Sequence, residues 1–194
     1  MQTNWCLVAF SGLCAVAFVG CSGPQEPTWS PVAAEALSAP QTAQLAKAEQ
    51  ARDGLAKALV GELTTALKSG PAAAVTVCSE RAPTLATAAA TEFGVRIGRT
   101  SMSLRNPQNK IPGWAQQQVS SGPAAPTFFV GSGGELATLF PIRLMPQCLQ
   151  CHGKVDDLGA DVRAILASKY PADRATGFAA GDLRGWFWVE VPKP

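Results

Sequence analysis

The run Cys148-Leu149-Gln150-Cys151-His152 contains the chain's only histidine. The spacing C-x-x-C-H is typical of the attachment site of a c-type haem. In such a site two thiols add to the haem vinyl groups, and the histidine binds the iron on one face. The run therefore predicts a single, covalently attached haem c, held by Cys148 and Cys151, with His152 as an iron ligand.

Three other uses of these cysteines remain open. A thioredoxin-like C-x-x-C opens a helix in a βαβ setting, and the preceding segment, residues 140–146, is unlike that setting. A structural zinc site needs four N or S ligands, which Cys78, Cys148, Cys151 and His152 supply without the usual two close-spaced pairs. A structural disulfide is the third alternative.

The N-terminal segment has the pattern of an export signal. No charged side chain occurs before Glu26, and an apolar run from Cys6 to Gly20 ends in small residues. This run is too short to span a membrane and suits a signal peptide. We expect cleavage after residue 20 and lipidation of Cys21. The first five residues lack Lys and Arg, and Phe18 replaces the usual Leu, so an ordinary cleaved signal peptide and an uncleaved short anchor stay open as alternatives. The predicted product is a periplasmic lipoprotein anchored to the membrane, a compartment where haem c is attached.

Cys78 is left over when the signal, lipid and haem cysteines are assigned, so its role needs an explanation. Val75 and Cys78 share one helical face, which predicts that Cys78 points inward. Free cysteines are often simply buried small side chains. We nevertheless expect the Cys78 thiolate to be the second iron ligand and to give a low reduction potential. Met102 is the next candidate, and an open position is the third.

The segment from Arg96 to Lys110 carries four basic residues and no acidic one. A haem has two propionate carboxylates, and the planar guanidinium group binds carboxylate through two hydrogen bonds. We expect Arg99 and Arg105 to bind the propionates, the alternative being a solvated basic loop. Nucleic acid is not an expected partner, because the formal net charge is only +2 and the protein is predicted to be exported.

The organisation of the mature chain indicates one domain. Residues 21–41 are proline-rich and are predicted to be a tether, and residues 42–194 are predicted to form a single haem-binding domain. Helical periodicity begins near Thr42, and Gly70-Pro71 separates two helical regions, the second broken at Pro83. A further helix is expected within residues 158–170, and strands are expected at residues 94–101, 125–130, 136–139 and 186–191. These elements predict an α+β fold.

The chain resembles the bacterial c-type haem proteins that are built on a PAS-like sensor fold, often described only as a domain of unknown function. The resemblance runs from about Leu45 to Val191. Besides the haem motif and Gly153, it rests on these blocks: residues 77–83, 97–101, 104–109, 112–114, 170–178 and 181–185.

This resemblance implies an antiparallel sheet flanked by helices, one covalent haem and a sensory or redox role. It also implies that a cysteine in the setting of Cys78 supplies the second iron ligand. Sheet edges of PAS-like folds often pair, so a homodimer is an additional expectation. In many relatives this domain precedes a signalling module in the same chain. No such module follows Pro194 here, so we expect the signal to pass to a separate redox or signalling protein.

We expect a membrane-tethered sensor in which redox state or a small gas changes the iron ligation. An electron-transfer cytochrome c of unusual architecture is the alternative. The position of the haem motif fits neither the small cytochromes c, in which a ligating methionine follows the motif, nor the four-helix cytochromes c. An enzyme such as a peroxidase is the weakest alternative, because no distal histidine exists and Glu80 is the only acid-base candidate.

Overall fold

The computed structural model describes residues 27–194. The predicted signal peptide and the lipidation site Cys21 lie outside the described residues. The helices of this range are α1 (Ala39–Leu67), α2 (Pro71–Phe93), α3 (Gln116–Ser121), α4 (Leu149–His152) and α5 (Ala160–Lys169). The strands are β1 (Trp29–Val32), β2 (Arg96–Thr100), β3 (Thr127–Gly131), β4 (Leu136–Arg143) and β5 (Leu183–Val191).

The five strands form one antiparallel sheet in the order β1-β3-β4-β5-β2. Helices α1 and α2 pack against each other, and α1 lies on β4 and β5 in the middle of the sheet. The predicted α+β class, with a PAS-like antiparallel sheet and flanking helices, is confirmed. All four predicted strand regions form strands, of which β4 and β5 extend further than expected.

The predicted tether contributes to this sheet. Residues Trp29–Val32 form β1, which pairs only with β3 and lies at the sheet edge. An edge strand tolerates Pro31, because one side of its backbone has no ladder to complete. Trp29 also packs on Trp114, with 5.8 Å between the ring centroids. The folded region therefore includes residues that the sequence assigns to a linker.

The two long helices are separated as predicted, but α2 differs from the prediction. Gly70, with φ +102°, precedes Pro71 at the first turn of α2. The expected break at Pro83 does not occur, since α2 continues from Pro71 to Phe93. A proline in a helix removes one ladder hydrogen bond, here the bond to the Ser79 carbonyl. The packing of α2 against both α1 and α5 holds the helix together across that loss.

The two faces of the sheet carry separate cores. On the helical side, Leu55 packs with alternate residues of β4 and β5, namely Phe140, Phe187, Val189 and Val191. On the opposite side, a second core contains Val119, Leu139 and Trp186. Ile97 of β2 belongs to the helical side. Because side chains alternate along a strand, Arg99 of β2 lies on that same side, where α2 and its Cys78 are found.

Candidate functional site

The C-x-x-C-H run occupies a 3₁₀ turn, Pro146–Cys148, and the short helix α4. Its end is held against the segment that leads into β5. The Gly177 N–H donates to the Gly153 carbonyl (2.8 Å), and the Phe178 N–H donates to the His152 carbonyl (3.0 Å). These non-local backbone bonds fix the motif, which has too few helical residues to be stable alone.

The His152 side chain is fixed by one strong hydrogen bond. Its Nδ1 lies 2.7 Å from the Ala175 carbonyl oxygen, which can only accept, so Nδ1 carries the proton and Nε2 has a free lone pair. Burial, and after it the nearby Arg105 and Arg184 cations, lower the pKa of His152 to about 3. His152 is therefore neutral near pH 7, in the tautomer that metal-binding histidines use.

Cys148 and Cys151, the two cysteines of the motif, are free, half-buried thiols. Cys151 packs against a cluster formed by Val75 of α2 and by Val162 and Leu166 of α5. Burial raises the pKa of the Cys151 thiol, although the Arg105 cation opposes that shift. The Cys151 thiol is therefore protonated at neutral pH, and both cysteines are free for covalent chemistry.

Cys78 requires a correction. The prediction that it points into the core is wrong, because its side chain is exposed. It lies on the side of α2 that faces the motif, close enough to Arg99, Arg105, Cys151 and Tyr170 for their charges to influence one another. Desolvation by neighbouring protein still raises the pKa of the thiol, and the two arginines reduce that rise. Cys78 is therefore accessible and lies near two cations.

Arg99 extends from β2 toward this group. Its guanidinium has no hydrogen-bond or ion-pair partner among residues 27–194. Burial lowers the pKa of Arg99, and the proximity of Cys78 and then Tyr170 raises it. Arg99 is half-buried, and an arginine that is partly withdrawn from water is more stable when an anion compensates its charge. The side chain thus meets the requirement for a propionate partner, and that role stays a prediction.

Arg105 is placed differently from the expectation, since protein groups already engage its guanidinium. Its Nε donates to Asp173 Oδ2 (3.0 Å), and its Nη2 donates to the carbonyls of Cys151 (2.5 Å) and Ala175 (3.2 Å). The side-chain exposures of Arg105 and Asp173 are only 12% and 11%. Arg105 therefore ties the motif to the segment at residues 173–175, and its binding of a propionate stays a prediction.

Arg184 is a site residue that sequence reasoning missed. It stands in β5, its Nη1 donates to the Ser103 carbonyl (3.0 Å), and it lies over the Phe178 ring, with Cζ 5.7 Å from the centroid. Burial, and after it the Arg105 and Arg99 cations, lower the pKa of Arg184 to about 10. The only sequence signal was its place in the 181–185 block. Three arginines thus converge near Asp173, which pairs with Arg105 and raises the pKa of Arg184.

The alternatives for the cysteines can be compared with this arrangement. Within residues 27–194, no group of three or more His, Cys, Asp or Glu side chains is assembled to hold a metal ion. Cys78, Cys148 and Cys151 are all free there, and so no disulfide joins them. Met102, the second candidate for the iron, is 56% exposed. In the described range, no helix has both the length and the apolar character required to span a membrane.

These features define a class of protein: an α+β, PAS-like domain that holds a C-x-x-C-H motif against its sheet, with a neutral histidine beside a free thiol and three arginines. The model of the Tll0287-like family matches residues 31–192, and the chain belongs to that family. The predicted relationship is confirmed.

The crystal structure of the cyanobacterial heme-protein Tll0287 has the same fold, with a TM-score of 0.61 at 25% sequence identity. The match covers 81% of this chain and 98% of that chain. No curated protein matches the chain.

Proposed function

We propose that this protein carries a single haem c, attached through Cys148 and Cys151 and ligated by His152. The observation that carries the proposal is the hydrogen bond from His152 Nδ1 to Ala175, which leaves a neutral Nε2 to bind iron. The two thiols that precede this histidine in the motif are free, as the covalent chemistry requires. The bound haem would supply a redox-active iron that accepts axial ligands and small gases.

Cys78 is the second iron ligand in this proposal. It lies on the side of α2 that faces the motif, and its exposure leaves the sulfur accessible. The neighbouring Arg99 and Arg105 stabilise a thiolate, which is the form of cysteine that binds metal. Since the thiolate donates electron density to iron, we expect a low reduction potential.

The arginines are a good match for the haem propionates. Arg99, Arg105 and Arg184 bring three positive charges to the site, and Asp173 offsets one of them. The two positive charges that remain balance the two negative charges of the propionates. Arg99, which has no other partner within the described residues 27–194, is the best placed to bind a propionate, and Arg184 is a second candidate added by the structure.

Replacing Arg99 by glutamine should lower the reduction potential on the order of tens of millivolts, because removal of a half-buried cation favours the ferric state. A redox titration of the haem-loaded protein measures this shift. Arg96→Gln is the matched control, since Arg96 is in the same strand but is exposed and paired with Glu190 at 2.7 Å. Equal potentials for wild type and Arg99→Gln would remove Arg99 from the site.

The function that this arrangement supports best is haem-based sensing of redox state or a small gas. Cys78 is on α2, which packs against both α1 and α5, so a change in its bond acts directly on the helical layer. We further propose a periplasmic lipoprotein, anchored through Cys21, that signals to a separate protein and forms homodimers through sheet edges. We propose no enzymatic activity, and Glu80 is engaged with Lys169 in an exposed ion pair at 3.1 Å.

Electron transfer is the second candidate function, and one observation favours it. Met145, three residues before Cys148, and Val155, three residues after His152, are exposed apolar side chains beside the motif. An apolar rim of this kind suits brief docking of a redox partner.

Absorption spectra of the ferric, reduced and CO-exposed protein distinguish the two functions. For a sensor we expect a low-spin ferric haem whose Cys78 bond is lost on reduction, so that CO binds readily. A haem that stays six-coordinate in the ferric and the reduced protein and does not bind CO would contradict sensing and support electron transfer. The protein should be matured in a periplasm that contains haem-attachment machinery.

A further inference from the structure

Arg105 and Asp173 are connected to His152 by a closed set of hydrogen bonds. The two oxygens of Asp173 have different partners: Oδ2 accepts from Arg105 Nε (3.0 Å), and Oδ1 accepts from the Ala175 N–H (2.8 Å). The carboxylate therefore fixes the guanidinium and the backbone at Ala175 together.

The same backbone unit orients the histidine. The Ala175 carbonyl accepts from His152 Nδ1 (2.7 Å) and from Arg105 Nη2 (3.2 Å). Arg105 Nη2 also donates to the Cys151 carbonyl (2.5 Å). The guanidinium therefore binds the backbone of the motif, and the Ala175 carbonyl binds its imidazole side chain. Ala175 is fully buried, which excludes water as a substitute partner.

This set of bonds is needed because regular secondary structure does not hold either segment. Asp173 lies between α5 and β5, and Arg105 lies between β2 and α3. A backbone bond from the Arg174 N–H to the Leu104 carbonyl (3.0 Å) joins the two loops beside the ion pair. The Arg105–Asp173 ion pair is largely buried, and its two side chains also bind backbone groups. Such a pair can fix the conformation of the two loops that it joins.

We propose that Arg105 and Asp173 are positioning residues, which hold the Ala175 carbonyl so that His152 is locked with its proton on Nδ1 and its Nε2 directed to the iron. The proposal deepens the proposed haem site, on which it rests. In this proposal Arg105 acts on the haem site by positioning His152, and this role replaces the predicted contact with a propionate. It also gives a function to Asp173, which the analysis of the sequence had not selected.

The tautomer of His152 tests this proposal, and the chain's single histidine makes its nitrogen signals unambiguous. The probe is long-range ¹H–¹⁵N NMR of the full mature chain made without haem. Wild type should show the Nδ1–H form. Asp173→Asn should reduce the ratio of Nδ1–H to Nε2–H by roughly tenfold, the factor that one charge-assisted hydrogen bond is worth. Asp173→Glu, which keeps the charge, should restore the wild-type pattern.

Asp182→Asn is the matched control. Asp182 accepts from a backbone N–H in the same connection, that of Ala179 (2.8 Å), and it is exposed. Its substitution should leave the His152 signals unchanged. If Asp173→Asn fails to fold, the spectrum of Arg105→Lys decides, because lysine cannot bridge Asp173 and both carbonyls.

An Nε2–H form in wild type would overturn the proposal, as would an unchanged Nδ1–H form in the folded Asp173→Asn or Arg105→Lys chain. Because these spectra need no haem, their outcome is separate from that of the haem assignment. A chain with the expected tautomers that never acquires haem would overturn the proposed function and leave the positioning role intact.

Discussion

Replacing Cys78 by serine is expected to convert the ferric haem from six-coordinate low spin toward high spin and to raise its reduction potential by on the order of 100 mV or more. Serine is close to cysteine in size but is a much weaker iron ligand at neutral pH. The loss of a thiolate removes the electron density that stabilises the ferric state. Electron paramagnetic resonance reports the spin state, and a redox titration reports the potential.

The neighbouring Ser79 supplies the control for this substitution. Ser79 Oγ donates to the Thr76 carbonyl (2.7 Å) within α2, so Ser79→Ala should leave the spectrum of the haem unchanged. A low-spin spectrum that survives Cys78→Ser would contradict the ligand assignment. The same measurement on Met102→Leu would then test the next candidate.

Replacing His152 by alanine is expected to have an equally large effect. The iron loses its only imidazole ligand, since the chain has no second histidine. The haem should remain attached through Cys148 and Cys151, lose the wild-type low-spin spectrum, and recover a low-spin spectrum when imidazole is added. Optical and electron paramagnetic resonance spectra of the purified variant measure these changes.

Gln150→Ala is the control within the motif, because Gln150 is exposed and is not part of the spacing C-x-x-C-H. This variant should have the spectrum of wild type. A His152→Ala protein with a low-spin spectrum identical to wild type would show that another group ligates the iron.

The parts of the fold that the sequence predicts are those that local patterns encode. The helical pair follows from periodicity and from the Gly70-Pro71 break, and four strand regions follow from alternation. β1 escapes prediction because four residues at a sheet edge, one of them Pro31, owe their conformation to pairing with β3. The continuity of α2 through Pro83 depends likewise on packing, which local propensity does not record.

The candidate site divides in the same way. The spacing of Cys148, Cys151 and His152 has a chemical meaning that is independent of the fold, and so it could be found directly. The partner of His152 Nδ1 is a backbone carbonyl 23 residues away, and no side-chain pattern identifies such an acceptor. Arg184 enters the site only because β5 passes beside the motif, and the exposure of Cys78 depends on the tertiary arrangement of α2.

The most direct test of the central claim is mass spectrometry of the denatured protein after maturation in a periplasm with haem-attachment machinery. We predict that the mass increases by one haem and that the haem remains on the peptide containing Cys148 to His152. A Cys148→Ala/Cys151→Ala protein is the control and should carry no covalent haem. A wild-type chain that lacks haem, with Cys148 and Cys151 as free thiols or joined in a disulfide, would contradict the account.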